Sequence, residues 1–265
     1  MSETDKMLSR KEGRVGYVIY NNPERHNAVS LDMWEAAVGI LDGFRNDKDV
    51  TVVVVTGAGG KAFVSGADIS RFEKERSSEE AIARYNEIVE KSYAAFYEFP
   101  KPTIAMIRGY CIGGGMGLAT CCDLRICTEG SKFGVPAAKL GLGYAYPGLK
   151  RLVDIVGPSF AMEIFYTARQ FTAAEALTMG LVNRVVPDGE GVLEKYVQDY
   201  ADIIAGNAPL TIRAAKATVA EIMKEDGKRD LKRSQALVDA CFKSSDYQEG
   251  RKAFMEKRKP VFTGT

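Results

Sequence analysis

The chain has 265 residues, 46% of them hydrophobic and 27% charged, with a net charge of +1. That length buries a sizeable core, and that balance describes a globular chain rather than a disordered or fibrous one. Near-neutrality without a basic tract offers nucleic acid no electrostatic footprint, and no apolar run approaches the roughly 18 residues that a membrane span needs.

The polar start, Met-Ser-Glu-Thr-Asp-Lys, predicts no signal peptide. Residues 14–20 read as a strand. The turn Asn22-Pro-Glu-Arg-His-Asn-Ala28 follows and carries the chain's one histidine, His26. A single histidine excludes a histidine-rich zinc site and leaves any Ser–His or Cys–His catalysis dependent on a polar turn. Residues 31–44 form an amphipathic helix with Ser30 as its cap, and 51–56 a strongly apolar strand. Gly57-Ala-Gly-Gly60 falls short of a dinucleotide fingerprint, and no Walker A pattern occurs. A helix over 81–99 ends before Pro100 and Pro102. Residues 103–107 read as a strand.

The stretch Gly109-Tyr-Cys-Ile-Gly-Gly-Gly-Met-Gly-Leu-Ala-Thr-Cys-Cys-Asp123 comes next. Its three consecutive glycines lead into a small-residue segment, 116–121, that reads as a buried helix. Such a turn lets a ligand approach the free N–H groups of a helix start, a natural seat for an oxyanion or phosphate. A tight strand-to-helix turn packed on a neighbour explains it equally well. Residues 123–127 and 132–133 are further short strands. From about Gly157 the strand signal fades, leaving helices over 192–205, 210–223, 229–242 and 247–257 and one strand, 182–186. The basic runs at 228–233 and 251–259 read as solvated helix faces. Five cysteines, Cys111, Cys121, Cys122, Cys127 and Cys241, form no C-x-x-C pair. They read as buried small hydrophobes of a reduced, cytoplasmic protein.

Taken together, Phe63…Ser-Gly-Ala-Asp-Ile69 and, further on, Gly-Gly-Gly-Met-Gly-Leu-Ala resemble the crotonase (enoyl-CoA hydratase/isomerase) superfamily. The first turn 22–28, Lys132-Phe-Gly-Val-Pro136 with Gly141, the segment 171–186 and the C-terminal segment 249–260 extend the resemblance over nearly the whole chain. It implies an α/β spiral of stacked ββα units over 1–195 and a helical C-terminal subdomain over 196–265 that packs on neighbouring subunits in trimers or hexamers.

It also implies an acyl-CoA substrate, with coenzyme A as part of that substrate and no separate cofactor or metal. By motif position, the N–H groups of Ala67 and Gly114 would hold a developing enolate oxygen. Arg25, His26, Ala28, Ala67 and Ile69 would lie along the CoA with Asp68 beside them, Gly113, Gly117 and Ala137 along the acyl group, and Phe254 and Lys257 would complete the cleft. For Asp68, capping the helix from Ile69 is the plainer role.

Hydratases of the family carry one glutamate at the Gly117 slot and another at the Ala137 slot. Both are absent here, and losing each group typically costs about 10²–10⁴-fold. The small residues are expected to enlarge the pocket. Tyr144 and Tyr146, on the turn 141–148, are the polar groups left nearby. Tyr144 as the functional group of a malonyl-type decarboxylase, both tyrosines as mere packing, and a non-catalytic acyl-CoA binder are the alternatives to hydration.

Overall fold

The computed structural model describes residues 4–71, 75 and 77–265. Two sheets organise it. In the larger, β1 (Met7–Glu12) and β2 (Val15–Tyr20) pair antiparallel, and β3 (Val52–Gly57), β5 (Thr103–Ile107), β7 (Leu124–Thr128) and β10 (Arg184–Val186) add in parallel, in the order β1-β2-β3-β5-β7-β10. In the smaller, β4 (Ala62–Val64), β6 (Tyr110–Ile112) and β8 (Lys132–Gly134) run parallel, with β9 (Phe171–Thr172) antiparallel at the edge.

Each circuit of the chain gives one strand to each sheet and then a helix. β3 and β4 precede α2 (Glu79–Tyr97), β5 and β6 precede α3 (Gly114–Cys121), and β7 and β8 precede α4 (Tyr146–Thr167). These are stacked ββα units, as the resemblance implies. Helix α1 (Leu31–Asn46) precedes them, and α5 (Ala173–Thr178) follows.

A parallel sheet covered on both faces needs strands that are apolar throughout. β3 meets that need: Val53 and Val55 join the core shared with α1 and α3, while Val52 and Val54 face Leu193, Val197, Ala201 and Ala205 of α6 (Val192–Ala205). A division at 195/196 would fall inside this helix. Beyond it lie α7 (Pro209–Ile222), α8 (Leu231–Lys243) and α9 (Ser245–Met255).

The predicted strands and helices appear within a few residues of their expected ends. β1 escapes the sequence pattern because only Met7 in it is buried. α4 escapes it because Pro147 and Gly157 read as breaks; Gly157, at φ 74°, does interrupt the helix, which resumes at once. Ser30 stands at the N-cap of α1, but its hydroxyl makes no capping hydrogen bond.

One buried side chain ties the units together. Arg125 donates from Nε to the Leu181 carbonyl at 2.6 Å and from Nη1 to those of Cys122 and Ala119, at 2.6 and 3.3 Å. It thereby closes the C-terminal end of α3 against the segment before β10.

Candidate active site

The turn between β2 and α1 is held from within. His26 and Asn27 both adopt positive φ, 52° and 56°, which costs a non-glycine residue energy unless its surroundings fix it. Asn27 does the fixing. Fully buried, it donates from Nδ2 to the carbonyls of Ala58 and Ala62 and accepts the Asn22 N–H at 2.8 Å.

The turn then docks on the loop after β4. Val29 N–H donates to the Gly66 carbonyl, and Asp68 N–H to the Val29 carbonyl, each at 2.9 Å. The N–H of Ala67, between those two bonds, has no acceptor among the described residues.

The triple-glycine turn brings a second N–H to the same place. Gly113 takes φ 54° and ψ −112°, a conformation open to glycine, and α3 starts at the next residue. Gly115 lets α3 lie directly on β4, since a Cβ there would stand 2.0 Å from the Val64 carbonyl oxygen. The Gly114 N–H also lacks an acceptor among the described residues. A Cβ built on Gly114 would lie 3.7 Å from Ala67 N, so the two backbone segments meet edge to edge.

They meet on the wall of a cavity of about 470 Å³. Ala67, Ile69, Gly113, Gly114, Ala137 and Tyr144, all expected from the sequence, line it. Gly117 lies behind that wall, and the space beside it is filled rather than empty. A Cβ on Gly117 would stand 2.7 Å from the Tyr93 hydroxyl oxygen. The expected enlargement at this slot is thus corrected: an aromatic ring from α2 occupies it.

Arg25, His26, Ala28 and Asp68 cluster next to the cavity without lining it. Arg25, half-exposed, donates to Asp68 Oδ1 at 3.2 Å and to the Ser70 hydroxyl at 2.5 Å. Asp68 also accepts the Ser70 N–H, the capping bond expected of it. Burial works against its charge. Hydrogen bonds from Ser70 and the charges of Arg25 and Arg71 outweigh that and hold the carboxyl below its ordinary range. The His26 ring sits edge-on to Tyr110.

Three expected residues are not brought to the cavity by this chain. Tyr146 begins α4 and is 71% exposed, turned away from the wall that Tyr144 joins. Phe254, 83% exposed, lies on α9, and Lys257 follows that helix. Phe254 lines a separate apolar groove of about 990 Å³ between α7, α8 and α9, which shares no residue with the cavity.

The opposite wall was not foreseen. Tyr85, Val89 and Tyr93 recur every fourth residue along α2 and face the cavity, with Glu90 beside them. Such a stripe reads in a sequence as ordinary helix packing. Arg151 of α4 completes the wall, with Nη1 and Nη2 each 3.0 Å from a Glu90 oxygen. Tyr93 donates to the Gly114 carbonyl at 3.0 Å. Tyr144 packs edge-on against Phe165, and burial pushes its phenol up to about 12.

This fold and site define a class. The family model for enoyl-CoA hydratase/isomerase matches residues 10–265, and the chain belongs to that family. It is 34% identical to a short-chain-enoyl-CoA hydratase of Clostridium acetobutylicum, over 97% of each chain. It is 33% identical to a peroxisomal Δ(3,5)-Δ(2,4)-dienoyl-CoA isomerase of Arabidopsis thaliana, over 95% of this chain and 93% of that one. Among solved structures, an enoyl-CoA hydratase/carnithine racemase from Magnetospirillum magneticum superposes with TM-score 0.91 at 36% identity, covering 99% of this chain and 97% of that one. Enzymes of this family act on CoA thioesters.

Proposed function

We propose that the cavity takes the acyl end of a CoA thioester and that the N–H groups of Ala67 and Gly114 hold its carbonyl oxygen as it gains enolate charge. The supporting observation is the meeting of two acceptor-free N–H groups at one point of the cavity wall. Preorganised donors of this kind lower a barrier by about 3–4 kcal/mol each. Arg25, braced by Asp68, offers its charge to the CoA phosphates beside His26, Ala28 and Ile69. The chemistry needs no metal or redox cofactor.

Hydration is a poor fit. It needs groups that activate water and deliver a proton, and the slots that would supply carboxylates hold Gly117 and Ala137. The phenol of Tyr144 stays neutral at working pH, so it can orient the substrate by donating a hydrogen bond but not serve as a base. That favours loss of CO₂ from a malonyl-type thioester. The carbon–carbon bond breaks, its electrons pass into the enolate held by the two N–H groups, and a proton is then added at the α-carbon. Binding without turnover is the competing reading.

The exposed Phe242, Phe254 and Met255 around the C-terminal groove support assembly through 196–265 into a trimer or hexamer, where Phe254 and Lys257 would reach a neighbour's cleft. Five free cysteines, four of them buried, fit a reduced cytoplasm.

Mass spectrometry of products from crotonyl-CoA, a 3-enoyl-CoA and methylmalonyl-CoA tests the reading. Loss of CO₂ from methylmalonyl-CoA without gain of water on crotonyl-CoA is expected. Hydration of crotonyl-CoA at ordinary enzymic rates would refute it, and binding of all three without turnover would make the chain a binder.

A further inference from the structure

Tyr93 belongs to no motif, yet its hydroxyl stands beside the point where the two free N–H groups come together. Its hydroxyl lies 3.0 Å from the Gly114 carbonyl oxygen and 3.4 Å from the position of a Cβ on Gly114. Ala67 N lies 3.7 Å from that same position, so the phenol oxygen and both free N–H groups surround one small volume. No residue with a side chain could stand at 117 while the ring is there, because the Tyr93 Oη and Cζ would be 2.7 and 2.9 Å from its Cβ. Gly117 therefore both removes one side chain and admits another from a different helix.

The ring is fixed. It meets Trp34 edge-on at 5.2 Å between centroids, and the Arg151 guanidinium lies 5.6 Å from its centre. Burial raises the phenol well above its ordinary value, the neighbouring phenols of Tyr144 and Tyr85 adding to the effect. A proton held that firmly is present at every working pH. The hydroxyl turns about its C–O bond at little cost, so a bound enolate can compete with the Gly114 carbonyl for it.

We infer that Tyr93 is a further catalytic residue, the hydroxyl that protonates the α-carbon of the thioester enolate. The inference rests on the enolate reading above. In this step the O–H bond of Tyr93 breaks, a C–H bond forms at the α-carbon with the enolate's electron pair, and the phenolate regains its proton from water entering the cavity.

The test uses methylmalonyl-CoA in D₂O, with Tyr93→Phe keeping the ring and losing the hydroxyl. Wild-type protein should give propionyl-CoA carrying one deuterium in one configuration. In Tyr93→Phe, kcat should fall at least about tenfold with KM within about twofold, and the deuterium should appear in both configurations. A purely structural Tyr93 would leave the configuration unchanged. Full kcat with single-configuration product in Tyr93→Phe would overturn Tyr93 alone. If wild type binds the thioester but releases no CO₂, no carbanion forms and the donor role is overturned while binding stands. If calorimetry detects no thioester binding by wild type, both readings fall.

Discussion

The two walls of the cavity are built by different means. On one side the loop after β4 and the start of α3 present backbone N–H groups, and the residues there are glycine and alanine. On the other, α2 and α4 present the side chains of Tyr85, Glu90, Tyr93 and Arg151. The first wall depends on where the chain can turn, so it is written in short motifs with strict residue demands. The second depends on which faces of two helices happen to meet, and each residue taken alone looks like helix packing. On the proposed function, the group that polarises a carbonyl is lodged in the backbone wall, and the groups that choose the reaction lie in the side-chain wall, where substitution is easier.

Substitutions can break this contrast, the largest effects falling on the backbone wall. Gly115→Ala would drive a methyl group to 2.0 Å from the Val64 carbonyl oxygen, and backbone cannot yield there as a side chain could. The loss should be at least about 3 kcal/mol in a urea titration. A stable Gly115→Ala would show that α3 can move off β4, and the backbone wall would then be no more rigid than its opposite.

Gly114→Val separates fold from function on the same wall. The nearest atoms to a Cβ here lie 3.4–3.7 Å away, ordinary contact, so the protein should fold. The β-branched side chain intrudes where the thioester would lie, and turnover should fall by about 10²-fold or more. Near-normal turnover would remove Gly114 from the site.

On the side-chain side, Tyr144→Phe should lower turnover by about 10²-fold with thioester affinity little changed. The same variant carries a pH signature. The folded protein holds the Tyr144 proton up to about 12, against 10.0 for an unperturbed phenol. Folded protein therefore binds the extra proton between those values, and stability should fall as pH rises from about 10 to about 12. The slope should be shallower in Tyr144→Phe. An identical alkaline profile would place the phenol in solvent and make the residue mere packing.

The smallest effect concerns Asp68. Its carboxyl is held below its ordinary 3.8, so its contribution is full above that value and is lost as pH falls through the lowered one. Acidification below pH 3.8 should release Arg25 before the sheets unfold, seen as a loss of CoA affinity that Asp68→Asn reproduces at neutral pH. Unchanged affinity in Asp68→Asn would detach the brace from the ligand site.

The same contrast governs what a reader of the sequence can see. The strand at 51–56 and the glycine run at 113–115 were legible because both answer to local rules: burial on two faces, and a φ that glycine tolerates. Ala67 and Gly114 were nominated by motif alone, and the fold does bring their backbone segments side by side. Tyr146 was nominated by proximity to Tyr144, but a helix begins there and turns the two rings apart. Tyr93 was invisible because its place in the wall depends on Gly117, twenty-odd residues later and on another helix, being too small to exclude it.

Arg125 gives the backbone wall a further property. Helix α3 is short, and a short helix ordinarily frays from its C-terminal end. Here that end is held by a guanidinium bonded to the carbonyls of Ala119 and Cys122 and, across the units, of Leu181. Fraying would strand a buried cation, so the end cannot open alone. The amides of α3 should then exchange with deuterated solvent only as fast as the whole protein unfolds. The wall formed by Ala67 and Gly114 would keep its shape through every fluctuation short of denaturation.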